Sequence, residues 1–168
     1  MFTLATAWPR REYWGCPTTG EHIVASVEVN ETVNASIDRV WPLVADFAGV
    51  DKLMTTISSI EGKGEGVGME RHIRSDGMEG VIVERLETLD PSAHQLSYSI
   101  TEETVAPLPF KSGHYLATVK MSETAGVTAI NWRGEFEPNG VPEGQSERFA
   151  GALYRAMIKA IRRELGVE

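Results

Sequence analysis

The polar side chains best suited to chemistry are Arg71 and Glu84, which lie on two successive segments of alternating polar and apolar residues. Alternation is typical of strands, and it places Ile73 on the same face as Arg71. If the two strands are neighbours, Arg71 and Glu84 both face the interior of a sheet. A buried charge is costly unless it is paired, so three roles are open: an ion pair that braces the sheet, a polar anchor for a bound molecule, or acid/base catalysis.

Aromatic side chains supply further candidates. Tyr98 and Tyr115 carry hydroxyls that can bond to a bound molecule, and Tyr115 is in phase with Gly113, a small residue that leaves room beside it. Trp132 is in phase with apolar neighbours on its own predicted strand, so its indole faces inward. Each of these rings has two interpretations, packing in the core or forming the wall of a pocket.

Other kinds of chemistry find little support. None of the four histidines has the short spacing to another histidine or cysteine that a metal site usually shows. The glycine-rich segment 62–68 leads into a strand rather than a helix and lacks the spacing of a phosphate loop. Cys16 has no obvious base nearby, and the sequence contains no Gly-x-Ser-x-Gly elbow. We therefore expect no metal, no cofactor and no nucleophilic hydrolysis.

Composition bounds the classes of partner. The chain has 168 residues, 42% of them hydrophobic and 24% charged, which suits one globular domain. Its formal net charge of −8 argues against binding nucleic acid. No apolar run approaches the roughly 20 residues of a membrane-spanning helix, and no secretory signal is recognisable. With a single cysteine, the sequence favours a cytoplasmic protein without membrane insertion.

Two parts can be separated along the chain. Residues 1–22 hold Trp8 and Trp14 without a clear period, and we interpret them as an N-terminal arm. The arm either packs on the domain's own surface or serves as a lid or a homodimer contact. Residues 23–168 form the predicted domain.

Periodicity predicts the elements of that domain. A strand over 23–33 is followed by a helix over about 36–47, capped by Asn34 or Ser36 and disturbed by Pro42, and by a short helical turn at 51–54. Turn residues then separate six further strands. Connections this short favour antiparallel neighbours. The six runs are 57–62, 69–76, 79–90, 95–104, 112–123 and 127–137.

The segment from Gln145 is the clearest helix. Ser146 is its expected N-cap and Gly166 its expected end. At 1.5 Å per residue it reaches roughly 30 Å, enough to cross a sheet. A seven-stranded sheet that curls around one helix encloses more space than the helix fills, so we expect an α+β fold with a cavity. The apolar stripe of this helix is Phe149, Leu153, Met157, Ile161 and Leu165, and its first three residues are expected to form the cavity floor.

Several short motifs resemble one family in the same order along most of the chain. The family is the polyketide cyclase/dehydrase branch of the START and birch-pollen-allergen-like (SRPBCC) superfamily. The resemblance implies its helix-grip fold, a curved sheet around a long C-terminal helix with two short helices after the first strand. The motifs are Ala35-Ser-Ile-Asp-Arg-Val-Trp41 leading to Asp46-Phe47, Gly66-Val-Gly-Met-Glu-Arg71, Glu84-Arg-Leu-Glu-Thr-Leu-Asp90, Tyr98-Ser-Ile100, and Trp132 followed by Phe136-Glu-Pro138.

The resemblance also implies a site. Members of the family bind lipids, sterols, polyketides or plant hormones between sheet and helix, and a few catalyse cyclisation or dehydration there. By the same resemblance Glu84 points into the cavity, and strand alternation then turns Ile82 inward. Tyr98 and Ile100 match cavity positions, and the loop 105–110 matches the cavity mouth, where it gates entry or packs on the long helix.

Two functions follow as expectations, and a third stays open. The first is binding of a small hydrophobic molecule, and the second is an enzyme of the cyclase/dehydratase kind in which Glu84, Arg71 or Tyr98 moves protons. The third is a protein-interaction module that uses the arm. The candidate ligand contacts are Arg71, Ile73, Ile82, Glu84, Tyr98, Ile100, Phe110, Tyr115, Trp132, Phe149, Leu153 and Met157.

Overall fold

The structure is a computed structural model that describes residues 24–103 and 108–167. The predicted arm at 1–22, and the part of the predicted 105–110 loop before Leu108, lie outside the described residues. Within the described ranges the chain forms seven strands, a 3₁₀ helix and two α-helices. Their bounds are β1 (Ala25–Val33), α1 (Ile37–Ala45), the 3₁₀ helix (Phe47–Lys52), β2 (Ile57–Lys63), β3 (Glu70–Ser75), β4 (Ile82–Asp90), β5 (Gln95–Glu103), β6 (Phe110–Thr124), β7 (Val127–Pro138) and α2 (Glu143–Leu165).

All seven strands belong to one antiparallel sheet in the order β1-β7-β6-β5-β4-β3-β2. From β2 onward each strand pairs with the next along the chain, as short turns require. Strand β1 instead pairs with β7, so α1 and the 3₁₀ helix carry the chain from one edge of the sheet to the other. The predicted α+β fold with a long C-terminal helix is confirmed.

The strand boundaries differ from the prediction by at most three residues, and two of these differences have a clear structural cause. Strand β6 begins at Phe110 rather than residue 112, and its register with β7 shifts between Phe110 and Tyr115. Gly113 lies inside that shift with φ of 74°, a conformation that glycine adopts without strain and that permits a bulge. Strand β4 begins at Ile82 rather than residue 79, because 76–80 form the turn that precedes it.

Helix α1 has a cap from a distant part of the chain. Ser36 is the N-cap as expected, but its side chain makes no capping bond. The Ile37 backbone N–H instead donates to Glu123 Oε2 at 2.8 Å, which places a carboxylate at the positive end of the helix. Pro42 lies inside the helix, and the 3₁₀ helix starts at Phe47, earlier than the predicted turn at 51–54.

Helix α2 begins two residues earlier than predicted. Pro142 is its N-cap, so the prediction of Ser146 as the cap was wrong. Ser146 lies buried inside the first turn, where its hydroxyl donates to the Glu143 carbonyl at 2.7 Å. The predicted end is confirmed, because Gly166 has the left-handed conformation of a helix terminator.

The face that α2 presents to the sheet is rotated from the predicted stripe. Phe149 and Leu153 are 48% and 37% exposed, and both were expected to be buried. The small residues Ala150 and Gly151 let the helix approach the sheet closely, so the residues next to the predicted stripe meet the core. The buried members of this face are Ala150, Tyr154, Ile158 and Ile161.

Helix α2 is fastened to the sheet edge at its C-terminal end. Arg162 donates from Nε and Nη2 to the Thr32 carbonyl on β1, at 3.1 and 2.6 Å. The same guanidinium forms an ion pair with Glu31 at 2.8 Å. Among the described helices, none is long and apolar enough to cross a membrane.

Candidate internal binding site

A cavity of about 140 Å³ lies between the concave face of the sheet and α2. Strands β3, β4, β5 and β7 provide one wall, α2 provides another, and the segment from Val50 to Ile57 closes the side. Leu153 lines the cavity and is also partly exposed, so the cavity opens to the surface beside it. The predicted contacts that the fold brings to this cavity are Arg71, Ile73, Ile82, Glu84, Tyr98, Trp132, Leu153 and Met157.

Six further lining residues were not predicted. Three of them follow the 3₁₀ helix, in a segment where the sequence shows no period to assign a face. Tyr154 had a signal, because it shares a four-residue step with Ala150 and Ile158, but the neighbouring Phe149 stripe was stronger. The six residues are Val50, Met54, Thr56, Ile57, Ser75 and Tyr154.

Four predicted contacts lie away from this cavity. Ile100 is buried on β5, and Phe110 packs its ring against Tyr115 and Phe136 with centroids 4.9 and 5.0 Å apart. Phe149 extends this aromatic cluster from α2, 5.7 Å from Phe110. The cluster of Phe110, Tyr115, Phe136 and Phe149 fills one end of the interior with rings, which restricts the open space to the other end.

Arg71 and Glu84 are directly paired across β3 and β4. Arg71 Nε and Nη2 both contact Glu84 Oε2, at 2.6 and 2.5 Å. Arg71 Nη1 donates to the Phe47 carbonyl at 2.7 Å, which ties the 3₁₀ helix to the sheet. Because both residues are buried, each charge depends on the other for compensation.

Two aromatic faces complete the surroundings of Arg71. Its guanidinium carbon lies 4.0 Å from the centre of the Phe47 ring and 5.3 Å from that of Tyr98. These distances suit cation–π attraction, which is stronger where water is excluded. The arginine charge is therefore neutralised by a carboxylate, a carbonyl and two rings before any ligand arrives.

Beside the cavity, a polar contact between two tyrosines joins the sheet to α2. The hydroxyls of Tyr115 and Tyr154 lie 2.7 Å apart and form a buried hydrogen bond. Tyr154 also stacks on Trp132 with ring centroids 5.3 Å apart and an interplanar angle of 14°. The flat pair of Tyr154 and Trp132 forms one wall of the cavity.

The buried tyrosines resist ionisation. Burial raises the pKa of Tyr98 well above its ordinary value, and the charges of Tyr154 and Glu84 add to that effect. Burial likewise raises the pKa of Tyr115 and of Tyr154. All three phenols therefore remain protonated near neutral pH and can act as O–H donors.

One buried donor in the described structure has no acceptor. Trp132 Nε1 lacks a hydrogen-bond partner, although its side chain is only 3% exposed. The indole N–H is close enough to the Tyr98 hydroxyl to lower that residue's pKa slightly against the raising effects, yet the contact falls short of hydrogen-bond geometry. A smaller void of about 20 Å³, lined by Tyr98, Trp132 and Arg71, adjoins these groups.

A larger concavity of about 590 Å³ lies on the outer face of the sheet. Its walls include Arg85, Glu87 and Glu135, side chains that project to solvent and pair among neighbours on the same strand. Tyr115 contributes to its lining, but neither member of the buried ion pair does, and neither does Tyr98 or Tyr154. Across residues 24–103 and 108–167, no three His, Cys, Asp or Glu side chains come together as a metal site requires.

The sheet, the enclosed helix and the cavity between them define a helix-grip protein. The chain belongs to the polyketide cyclase/dehydrase and lipid transport family, whose profile matches residues 24–166. A search of curated proteins finds no match.

Solved structures share the fold. The XoxI protein of Bacillus cereus has a TM-score of 0.72 at 23% identity, covering 83% of this chain and 94% of its own. An uncharacterised protein of Bacillus thuringiensis has a TM-score of 0.71 at 25% identity, covering 83% and 98%. Ara h 8.0201 has a TM-score of 0.72 at 18% identity, covering 84% and 97%. These similarities establish the architecture.

Proposed function

We propose that the protein binds a small, largely apolar molecule in the cavity between the sheet and α2. The observation that carries this proposal is the cavity itself, about 140 Å³ of space with apolar walls next to a neutralised ion pair. An apolar cavity in an otherwise close-packed core forgoes packing contacts, which a bound molecule can restore. The family to which the chain belongs supports the same proposal.

Burial of ligand surface provides the affinity. Removing about 200 Å² of apolar ligand surface from water contributes on the order of 5 kcal/mol before entropic costs. The polar groups at the wall then select among molecules that fit. Entry beside Leu153 requires only that a partly exposed side chain move.

Binding is favoured over the alternative, an acid/base enzyme of the cyclase/dehydratase kind. Glu84 Oε2 is already engaged by two guanidinium nitrogens, so this oxygen is not free to accept a proton from a bound molecule. The raised pKa values of the tyrosines deprive the site of a phenolate base near neutral pH. The cytoplasmic location and the homodimer contact through the arm stay predictions from the sequence.

Native mass spectrometry of the freshly purified protein tests the proposal. We expect a discrete added mass that disappears on denaturation, and organic extraction followed by mass analysis then gives the ligand class. The control is Leu153→Trp, which narrows the opening and should reduce the adduct. The proposal would be contradicted by an apo mass combined with no thermal stabilisation by any member of a panel of small apolar molecules.

A further inference from the structure

We infer that the cavity is specific for a compact, neutral molecule with a carbonyl or ether oxygen, which accepts a hydrogen bond from the Tyr98 hydroxyl while Tyr98 accepts one from the Trp132 indole. This inference rests on the proposed binding function and narrows it to a ligand class.

The direction of the two hydrogen bonds follows from the chemistry of the groups. An indole N–H can only donate, so Trp132 Nε1 requires an acceptor. Its neighbour is the Tyr98 oxygen, near enough to be influenced yet outside hydrogen-bond geometry. If the Tyr98 oxygen accepts from Trp132, the Tyr98 proton must point elsewhere, and Tyr98 lines the cavity. The ligand must then supply an acceptor.

An unpartnered buried donor indicates that something is missing. More than nine in ten buried polar groups have a hydrogen-bond partner, and leaving such a group without one costs on the order of 1–3 kcal/mol. No described residue forms a hydrogen bond of normal geometry with Trp132 Nε1. A ligand oxygen that accepts from the Tyr98 hydroxyl would draw the Tyr98 and Trp132 side chains together. Both donors would then be satisfied in one continuous series of hydrogen bonds.

The charges around the cavity exclude an ionised ligand. Arg71 is already compensated by Glu84 and the Phe47 carbonyl, so a carboxylate ligand would bring a charge that has no counter-charge. The same burial and the same Glu84 charge that oppose a Tyr98 phenolate oppose any other anion at that position. A ligand cation would equally lack a counter-charge, because Glu84 is already paired with Arg71. A neutral ligand avoids both penalties.

The volume sets the size. A cavity of about 150 Å³ in another protein holds benzene, and this one has about 140 Å³. A ring of benzene size with one oxygen therefore fits without displacement of the walls. Larger molecules require Leu153 or Met157 to move, and both lie on α2 at the lining.

Three probes of matched shape test the inference. Cyclohexanone has the neutral oxygen, methylcyclohexane lacks it, and cyclohexanecarboxylate carries a charge. Binding is measured by titration of the ¹⁵N-labelled full chain, with the Trp132 indole resonance assigned by its loss in Trp132→Phe. We expect cyclohexanone to bind most tightly and to shift the Trp132 indole proton downfield as its hydrogen bond to Tyr98 forms.

Two variants separate the hydroxyls. Tyr98→Phe keeps the ring beside Arg71 and removes only the hydroxyl, so cyclohexanone affinity should fall about two- to tenfold while methylcyclohexane affinity is unchanged. Tyr115→Phe is the matched control, because its hydroxyl is equally buried but is bonded to Tyr154 and lies away from the cavity. It should leave the preference for cyclohexanone intact.

The outcomes distinguish failure of the proposed ligand class from failure of the binding function. Equal affinity for cyclohexanone and methylcyclohexane, or an unmoved Trp132 resonance at saturation, overturns the inference and leaves binding of apolar molecules in place. Tighter binding of the carboxylate also overturns it. Failure of all three probes to bind contradicts the inference and the binding function together.

Discussion

Gly134 on β7 leaves open the space that the Tyr154 hydroxyl of α2 occupies, because a Cβ at position 134 would overlap that oxygen. The tyrosine can therefore reach past β7 to bond with Tyr115 on β6 at 2.7 Å. This contact fixes how closely α2 approaches the sheet. Since Tyr154 also lines the cavity, the glycine determines part of the cavity's shape.

Gly134→Ala should destabilise the protein by about 1–3 kcal/mol, because the methyl group displaces Tyr154 from a packed interior. Urea unfolding measures the change. Gly144→Ala is the control, since a Cβ there meets only the flexible end of Arg148 at 3.4 Å. In helix α2 that control should be neutral or slightly stabilising.

The overlap with the hydroxyl can be isolated by a double-mutant cycle. In a Tyr154→Phe background, Gly134→Ala should be less costly than in the wild type, because the closest atom has been removed. Strictly additive costs would mean that the substitution acts through the strand rather than through Tyr154.

Glu84→Gln should destabilise the fold by about 3–5 kcal/mol, because it leaves the buried Arg71 charge uncompensated. Replacing both members, as in Arg71→Met/Glu84→Met, should be less costly than the single change. Thermal and denaturant unfolding give the comparison. If Glu84→Gln left the free energy of unfolding unchanged, water or another group would have to compensate the Arg71 charge.

The same variant distinguishes binder from enzyme once a ligand is known. A binder should lose affinity modestly, whereas an enzyme that uses Glu84 for proton transfer should lose turnover while still binding its substrate. The assay is recovery of the ligand after long incubation with wild type and variant. Chemically unchanged ligand from the wild-type protein would count against catalysis.

Stability should fall as the pH rises above about 10. The folded-state pKa values of Tyr98, Tyr115 and Tyr154 are raised, so the folded protein keeps protons that the unfolded chain releases above pH about 10. Below that pH both states are protonated and these groups contribute no pH dependence. Above pH about 10, each of these tyrosines should lower the free energy of unfolding by up to about 1.4 kcal/mol per pH unit.

Urea unfolding between pH 9 and 11.5 measures this slope. The double variant Tyr115→Phe/Tyr154→Phe removes two of the three phenols and should have a shallower slope than the wild type. An unchanged slope would assign the loss of stability at high pH to other groups, such as lysines.

Leu153→Trp should reduce ligand uptake with little change in stability, because Leu153 is both partly exposed and at the cavity lining. Phe149→Trp, one turn earlier on α2 and outside the cavity, is the matched control and should leave uptake unchanged. The adduct fraction in native mass spectra and the unfolding midpoint are measured together. Normal uptake by Leu153→Trp would place the entrance elsewhere.

The sequence was sufficient to predict the sheet and its inward-facing polar pair. The family resemblance predicted that Glu84 faces inward, strand alternation placed Arg71 on the same face as Ile73, and the structure pairs Arg71 and Glu84 in register. That prediction succeeds because the strand period of two residues leaves only two faces to choose between. The turn residues likewise predicted the number of strands.

The helix faces were harder to predict. Stripes one residue apart on α2 differ by about 100° in direction, so a wide apolar surface does not reveal which part meets the sheet. Gly134 determines which face of α2 meets the sheet, because the space above this glycine accommodates Tyr154. The irregular wall from Val50 to Ile57 had no period at all, and its place depends on the bond between Arg71 and the Phe47 carbonyl.

Arg71 contacts four groups at once: its guanidinium bonds to Glu84 and to the Phe47 carbonyl, and it also lies over the rings of Phe47 and Tyr98. A lysine, with a compact ammonium and no flat surface, cannot replace these contacts together. The residues at positions 47, 71, 84 and 98 therefore depend on one another for these contacts. In related sequences we expect them to be retained or exchanged as a group, so that drift at one is accompanied by change at the others.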